Sequence, residues 1–303
     1  MFTKGTNGNV LYIRHGETNY NTVLKNNPYE SMKWDTVYTD LHLNQTGFSQ
    51  AAELKSELSA FKLKYVFCSP LNRCVDTCIK ALEDHPQRES IEIVIHPLIT
   101  ETVGCIADVN QPISQKMEFY EMNSNGLIIN WDLIKNVRKL NYIKPKIKLN
   151  HKKSINSANI DILDKDDEEE ITSEPTSELE FERELESQYY FSKYIDNESF
   201  TGIEESFEMD ISDQFKKILL NKSRPESHKH LYNRTLAFKD YLNEFTKLND
   251  YKAEDGKILV FTHSGFIKMS NGTFEDTHVI TDYPENNYCP NNCEIISMDK
   301  LLT

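Results

Sequence analysis

No apolar run in this chain approaches the roughly eighteen consecutive residues that a membrane-spanning helix requires, and the start carries no apolar stretch of signal-peptide length behind Lys4. The sequence therefore reads as a soluble, cytoplasmic protein. Positive charge is also in short supply. The formal net charge is −14, which argues against nucleic acid and anionic membranes as partners, because both select for basic patches. Cysteine is sparse, with six residues scattered along a chain too large and apolar to need disulfide staples, and this fits a reducing compartment. Cys74 and Cys78 lie at helical spacing, and Cys289 and Cys293 are parted by Pro-Asn-Asn. Neither pair has a second pair of metal-ligand type beside it, so buried thiols are expected and zinc is not. No internal repeat is visible.

What is present is enough for a core: 303 residues, 38% of them hydrophobic. The acidity belongs to one segment. Between Asp161 and Glu186 thirteen acidic residues face Lys165 and Arg183, a net of −11 that leaves only −3 for the remainder. Residues 150–186 lack apolar periodicity and repel themselves, so they are expected to be a disordered or loosely held insertion, which a fold can carry at small cost in loop closure. An alternative for this insertion is the binding of a protein partner.

On either side the pattern is α/β. Val10-Leu11-Tyr12-Ile13, Tyr65-Val66-Phe67-Cys68, Ile91 to Ile95 and Ile258-Leu259-Val260-Phe261 are short apolar runs of the kind buried on both faces of a parallel sheet. Helical spacing appears in 48–58, in 71–82 after Pro70, and in a long segment behind Pro225, where Ser227 reads as an N-cap. This alternation predicts crossover units: a three-layer α/β fold with a mainly parallel sheet flanked by helices. Residues 294–298 are expected to add a final strand.

Arg14-His15-Gly16-Glu17-Thr18 follows the first strand directly, at the carboxyl end where open α/β sheets place their ligand sites. Three residues alone are weak evidence. Further blocks follow in order: Leu43-Asn44-Gln45-Thr46-Gly47-Phe48-Ser49-Gln50-Ala51, then Ser69-Pro70-Leu71-Asn72-Arg73-Cys74-Val75-Asp76-Thr77, then Glu101, then Thr262-His263-Ser264-Gly265-Phe266-Ile267. Together they resemble the signature blocks of the histidine phosphatase superfamily, the phosphoglycerate mutase-like fold, over 10–101 and about 225–298. Asn292-Cys293-Glu294 resembles a block of one eukaryotic phosphatase-like branch.

The resemblance implies one histidine phosphatase domain over 1–303 and a set of roles. His15 would be the nucleophile that forms a phosphohistidine. Arg14, Arg73 and His263 would hold the phosphoryl oxygens, Asn21 would line the same pocket, and Glu101 would protonate the leaving oxygen, with Asp108 as a rival donor. Elementary chemistry agrees with such a set. A neutral imidazole is a competent nucleophile near neutral pH, guanidinium forks grip phosphate oxygens, and a carboxyl group held protonated supplies general acid catalysis. No cofactor and no metal are expected, because arginines perform the charge neutralisation that magnesium performs in other phosphoryl-transfer sites. Gly47 and Gly265 are expected to serve backbone geometry, the second where helix amides favour an anion.

Three functions fit these residues. The first is a phosphatase acting on a small phosphorylated metabolite or a phosphoprotein. A cofactor-dependent mutase would carry Arg and Tyr-Gly after the acid, where Thr102-Val103-Gly104-Cys105 stands, and the acid-phosphatase branch would have Asp where Ser264 stands. The third is a non-catalytic scaffold that keeps the fold. Substrate choice is expected to come from 26–40 and 102–142, where Lys33, Trp34, Trp131 and Arg138 read as packing residues before substrate contacts.

Overall fold

The computed structural model describes residues 2–4, 8–26, 35–102, 104–111, 113–134, 228–270 and 289–298. The insertion at 150–186, Lys33, Trp34, Arg138 and Ser227 lie outside them. Among the described residues no helix is long and apolar enough to cross a membrane.

Among the described residues seven strands form one sheet: β1 (Phe2–Lys4), β2 (Val10–Arg14), β3 (Leu63–Cys68), β4 (Glu92–Ile95), β5 (Ile128–Asn130), β6 (Lys257–Thr262) and β7 (Ile295–Met298). Their order is β1, β7, β2, β6, β3, β4, β5. The five strands from β2 to β5 in that order pair in parallel, and only β7 runs against its neighbours. The mainly parallel α/β sheet expected from the apolar runs is thus found, with the final strand as its antiparallel member.

The apolar runs are continuous because the sheet is covered on both faces. Phe67 and Cys68 are adjacent on β3 and point to opposite sides. Phe67 meets Phe238 and Phe245 of α5 (His228–Leu248) edge-on, at 6.0 and 5.6 Å between centroids. On the same face Tyr12 stacks on Phe266 of α6 (Ser264–Ser270). Cys68 meets Cys78 of α3 (Asn72–Leu82) on the other face. Val10 to Ile13 and Ile258 to Phe261 are at most 1% exposed, and each large side chain so buried contributes about 1.5–3 kcal/mol.

The helix α2 (Gln45–Leu58) starts three residues before the expected position, because Asn44 caps it by accepting the Gly47 amide at 2.8 Å. The helices α1 (Asn19–Asn26) and α4 (Ile113–Asn123) and the short strands β1 and β5 were not expected from the sequence. Trp131 is a packing residue, buried and stacked on Tyr120. All six cysteines are free thiols; Cys289 is exposed, against the expectation that its pair would be buried.

Candidate active site

Register brings the site together. Arg14 of β2 is paired with Thr262 of β6, so the next residues, His15 and His263, emerge side by side at one edge of the sheet. The His15 amide donates to the Thr262 carbonyl at 3.0 Å, and the two imidazole rings lie 5.2 Å apart between centroids, tilted by 57°. The end of β3 lies on the far side of β6, where the Ser69 amide donates to the Phe261 carbonyl at 2.9 Å.

The His15 ring is fixed by a contact that also sets its tautomer. Nδ1 lies 2.7 Å from the Gly16 carbonyl oxygen. A carbonyl oxygen only accepts, so Nδ1 carries the proton and Nε2 keeps its lone pair. Burial, then the Arg73 and Arg14 guanidiniums, hold this imidazole well below its ordinary pKa, which keeps it neutral. The turn that carries it is tied on both sides. Gly16 donates its amide to Thr77 Oγ1 at 2.9 Å, and Asn292 Nδ2 donates to the His15 carbonyl at 2.9 Å. Backbone packs directly on backbone here: a Cβ on Gly47 would stand 2.1 Å from the Glu17 carbonyl oxygen, which is why the α2 start requires glycine.

His263 is fully buried, with Nε2 2.8 Å from Ser69 Oγ and 3.3 Å from Cys74 Sγ. Its pKa too is pushed well below the usual value, by burial and then by Arg73. Arg14 donates through Nη1 to the Pro290 carbonyl at 2.6 Å, while its Nε is buried without a hydrogen-bond partner among the described residues. Arg73, the second residue of α3, donates through Nη1 to the Ala107 carbonyl at 2.6 Å and through Nη2 to Asp108 Oδ1 at 2.9 Å.

Glu101 closes the cluster. Its Oε1 accepts from the Thr102 amide at 3.0 Å and its Oε2 from the Gly265 amide at 3.2 Å. Burial, then the Asp108 charge, raise its pKa above the ordinary glutamate value. The Gly265 amide, expected to favour a bound anion, is thus given to a carboxyl group of the chain itself. Four charge-bearing elements, the ends of β2 and β6, the start of α3 and the loop after β4, converge on one spot.

Residues 10–124 match the family model described as the histidine phosphatase superfamily, branch 1. Over this segment the chain is similar to the histidine phosphatase superfamily. A probable phosphatase of Schizosaccharomyces pombe is 33% identical over 111 residues, which span 36% of this chain and 46% of that protein. Among solved structures, the ecdysone phosphate phosphatase of Bombix mori in complex with tungstate is similar at 14% identity, over 94% of this chain and 86% of that chain, with a TM-score of 0.43. A phosphoserine phosphatase of Entamoeba histolytica in complex with 3-phosphoglyceric acid is similar at 15% identity, over 86% and 76% of the two chains, with a TM-score of 0.33.

Of the residues singled out by the superfamily resemblance, His15, His263, Arg14, Arg73 and Glu101 are brought together. Asn21, on α1, has its Oδ1 occupied by the amide and hydroxyl of Thr18, at 3.0 and 3.1 Å, which leaves Nδ2 to donate. Asp108 lies at the cluster as the partner of Arg73.

Sequence reasoning missed Arg234. This fully buried arginine of α5 donates to the carbonyls of Leu98 and Thr100 at 2.7 and 2.9 Å and of Glu101 at 3.4 Å, so it fixes the turn that presents the Glu101 carboxyl group. A charged residue inside an apolar helical stripe was its only signal. Asn292 had a better one, the Asn-Cys-Glu block, and the structure ties it to the His15 carbonyl.

Proposed function

We propose that this chain hydrolyses phosphomonoesters through a phosphohistidine on His15, with a small phosphorylated metabolite or a phosphoprotein as substrate. The observation that carries this reading is the His15 tautomer: Nδ1–H committed to the Gly16 carbonyl leaves the Nε2 lone pair as a nucleophile beside His263. Arg14 Nε, a buried donor with no partner among the described residues, suits a phosphoryl oxygen. Arg73, His263 and the Asn21 amide nitrogen would hold the others.

In the first step Nε2 attacks phosphorus, the bond from phosphorus to the ester oxygen breaks, and Glu101 gives its proton to that oxygen, releasing an alcohol. In the second a water attacks phosphorus, Glu101 takes up the water proton, and the phosphorus–nitrogen bond breaks to return neutral His15 and inorganic phosphate. The proton stays on Nδ1, donated to the Gly16 carbonyl, throughout. The raised pKa of Glu101 supports its role as the acid, and the lowered pKa of His15 supports its role as the nucleophile. Charge neutralisation by the arginines supports turnover without a divalent ion. The free thiols support a cytoplasmic location.

The test is rapid acid-free quenching of the full-length protein turning over a radiolabelled aryl phosphate. Label is expected on residue 15 as an acid-labile, base-stable adduct, and His15→Ala is expected to lose both the adduct and turnover, the latter by on the order of a thousandfold or more. Turnover should survive a chelator. Equal rates in wild type and His15→Ala, or activity abolished by chelation and restored by a divalent ion, would refute the reading.

A further inference from the structure

The loop after Glu101 returns to the site through a short helical turn, Ile106–Asp108, and places one carboxylate against one guanidinium. Both are nearly buried, with side-chain exposures of 6% for Arg73 and 12% for Asp108. The contact is two-pronged on the arginine side: Nη2 donates to Asp108 Oδ1 at 2.9 Å and Nη1 to the Ala107 carbonyl at 2.6 Å. A guanidinium has five N–H donors in a rigid plane. Two are used here, and their positions fix the plane and the direction of the remaining three.

Asp108 is itself held by its own loop. Oδ2 accepts from the amides of Gly104 and Cys105, at 3.1 and 3.2 Å, and from Cys105 Sγ at 3.2 Å. Four donors converge on its two oxygens, an arrangement that suits an anchor.

We infer that Asp108 is a positioning residue, not the acid: it anchors the Arg73 fork toward the phosphoryl oxygens. This rests on the proposed phosphatase reading. Glu101 faces Arg73 and Cys74 from α3, Arg14 from the end of β2, Arg234 of α5 through its carbonyl, the Gly265 amide of α6, and Asp108. Among these Asp108 is the acidic neighbour whose negative charge opposes ionisation of Glu101. One carboxylate therefore serves two ends of the reaction, the grip on the phosphate and the protonation of the leaving group.

The experiment compares full-length wild type, Asp108→Asn and Asp108→Glu in two measurements. Calorimetric affinity for inorganic phosphate needs no turnover. The profile of kcat against pH on an alkyl phosphate reports Glu101. Asp108→Asn is expected to weaken phosphate roughly tenfold to a hundredfold, as loss of a charge-assisted contact would, and to move the basic limb of the profile to lower pH. Asp108→Glu keeps the charge but displaces the fork, so affinity falls while the basic limb stays; it also carries the test should Asp108→Asn not fold. In an Arg73→Gln background Asp108→Asn should weaken phosphate by less than about twofold more, because the anchor then has nothing to hold.

Phosphate affinity unchanged in Asp108→Asn, with the basic limb in place, would overturn the inference. So would loss of turnover in Asp108→Asn with normal phosphate binding, together with full activity in Glu101→Gln, since that pattern makes Asp108 the proton donor. A wild type that binds phosphate but hydrolyses no ester would instead remove the phosphatase reading, and the affinity comparison would still decide whether Asp108 positions Arg73.

Discussion

Gly265 and Glu101 touch at a point where neither can change without the other. The glycine amide donates to Glu101 Oε2 at 3.2 Å, and a Cβ at residue 265 would stand 2.2 Å from Oε1. The atom in the way is the end of a flexible side chain, so the fold can absorb Gly265→Ala by expelling the carboxyl group. The expected result is a melting temperature close to wild type with kcat on alkyl phosphates reduced by about 10²- to 10⁴-fold, the range for loss of a general acid. Gly47→Ala differs in kind, since its Cβ would meet the Glu17 backbone and the turn itself must shift. Melting curves beside rates separate the two variants.

The two pKa directions in the site fix the shape of the pH profile. In the proposed mechanism His15 must be neutral, and its pKa is lowered, so activity is expected to fall on the acid side only below 6.5. As the proposed acid Glu101 must be protonated, and its pKa is raised, so activity is expected to fall on the basic side above 4.5. Glu101→Gln is expected to erase the basic limb and leave the acid one. The second ionisation of the substrate, near about 6, is common to both proteins and cancels in the comparison. The loss should also depend on the leaving group: about 10²- to 10⁴-fold for an alkyl phosphate, and within roughly tenfold for p-nitrophenyl phosphate, whose leaving oxygen needs little help from an acid.

The parts of the site that were legible in the sequence are those that local rules impose. Four-residue apolar runs such as Ile258 to Phe261 announce strands buried on both faces, and the residues just beyond them, His15 and His263, sit where a parallel sheet opens. What stayed hidden is long-range pairing of polar groups. Nothing near Asp108 in the chain points to Arg73, thirty-five residues away, as its partner. The helix α4 was missed because its buried positions are Ile113, Lys116 and Tyr120, and a lysine in that stripe reads as a solvent-facing residue.

That lysine has a definite place. Lys116 and Asp40 form an ion pair at 1% and 0% side-chain exposure, and Lys116 Nζ also donates to the Pro70 carbonyl at 2.6 Å and to Asn110 Oδ1 at 2.8 Å. Asp40 in turn accepts the Asn72 amide at 2.8 Å, which caps α3 one residue before Arg73, and the Gln111 amide at 2.8 Å. Lys116→Met would leave a buried carboxylate without its cation, at a cost of about 3–5 kcal/mol, or roughly 10 °C in melting temperature. Adding Asp40→Asn should recover part of that loss. If Lys116→Met melts with the wild type, the pair is not buried in solution.

Stability against acid follows from the buried imidazoles. His15, His96 and His263 all have pKa values lowered by burial, His96 down to about 3. Each stays neutral in the folded chain and takes up a proton near 6.5 when unfolded. Their contribution is therefore complete above 6.5 and is lost as pH falls toward the folded values, at about 1.4 kcal/mol per pH unit for each ring. Urea midpoints should drop steadily from pH 7 to 5. His96 offers a clean control, because its ring lies edge-on among Phe67, Phe238 and Tyr241, where a phenyl ring fits. His96→Phe gives up the Leu98 amide held by Nδ1 at 3.2 Å, worth about 1 kcal/mol at any pH, but removes one proton from the linkage. The variant should thus be the less stable protein at pH 7 and the more stable one at pH 5. Parallel curves for the two proteins would mean that residue 96 titrates alike in the folded and unfolded chain.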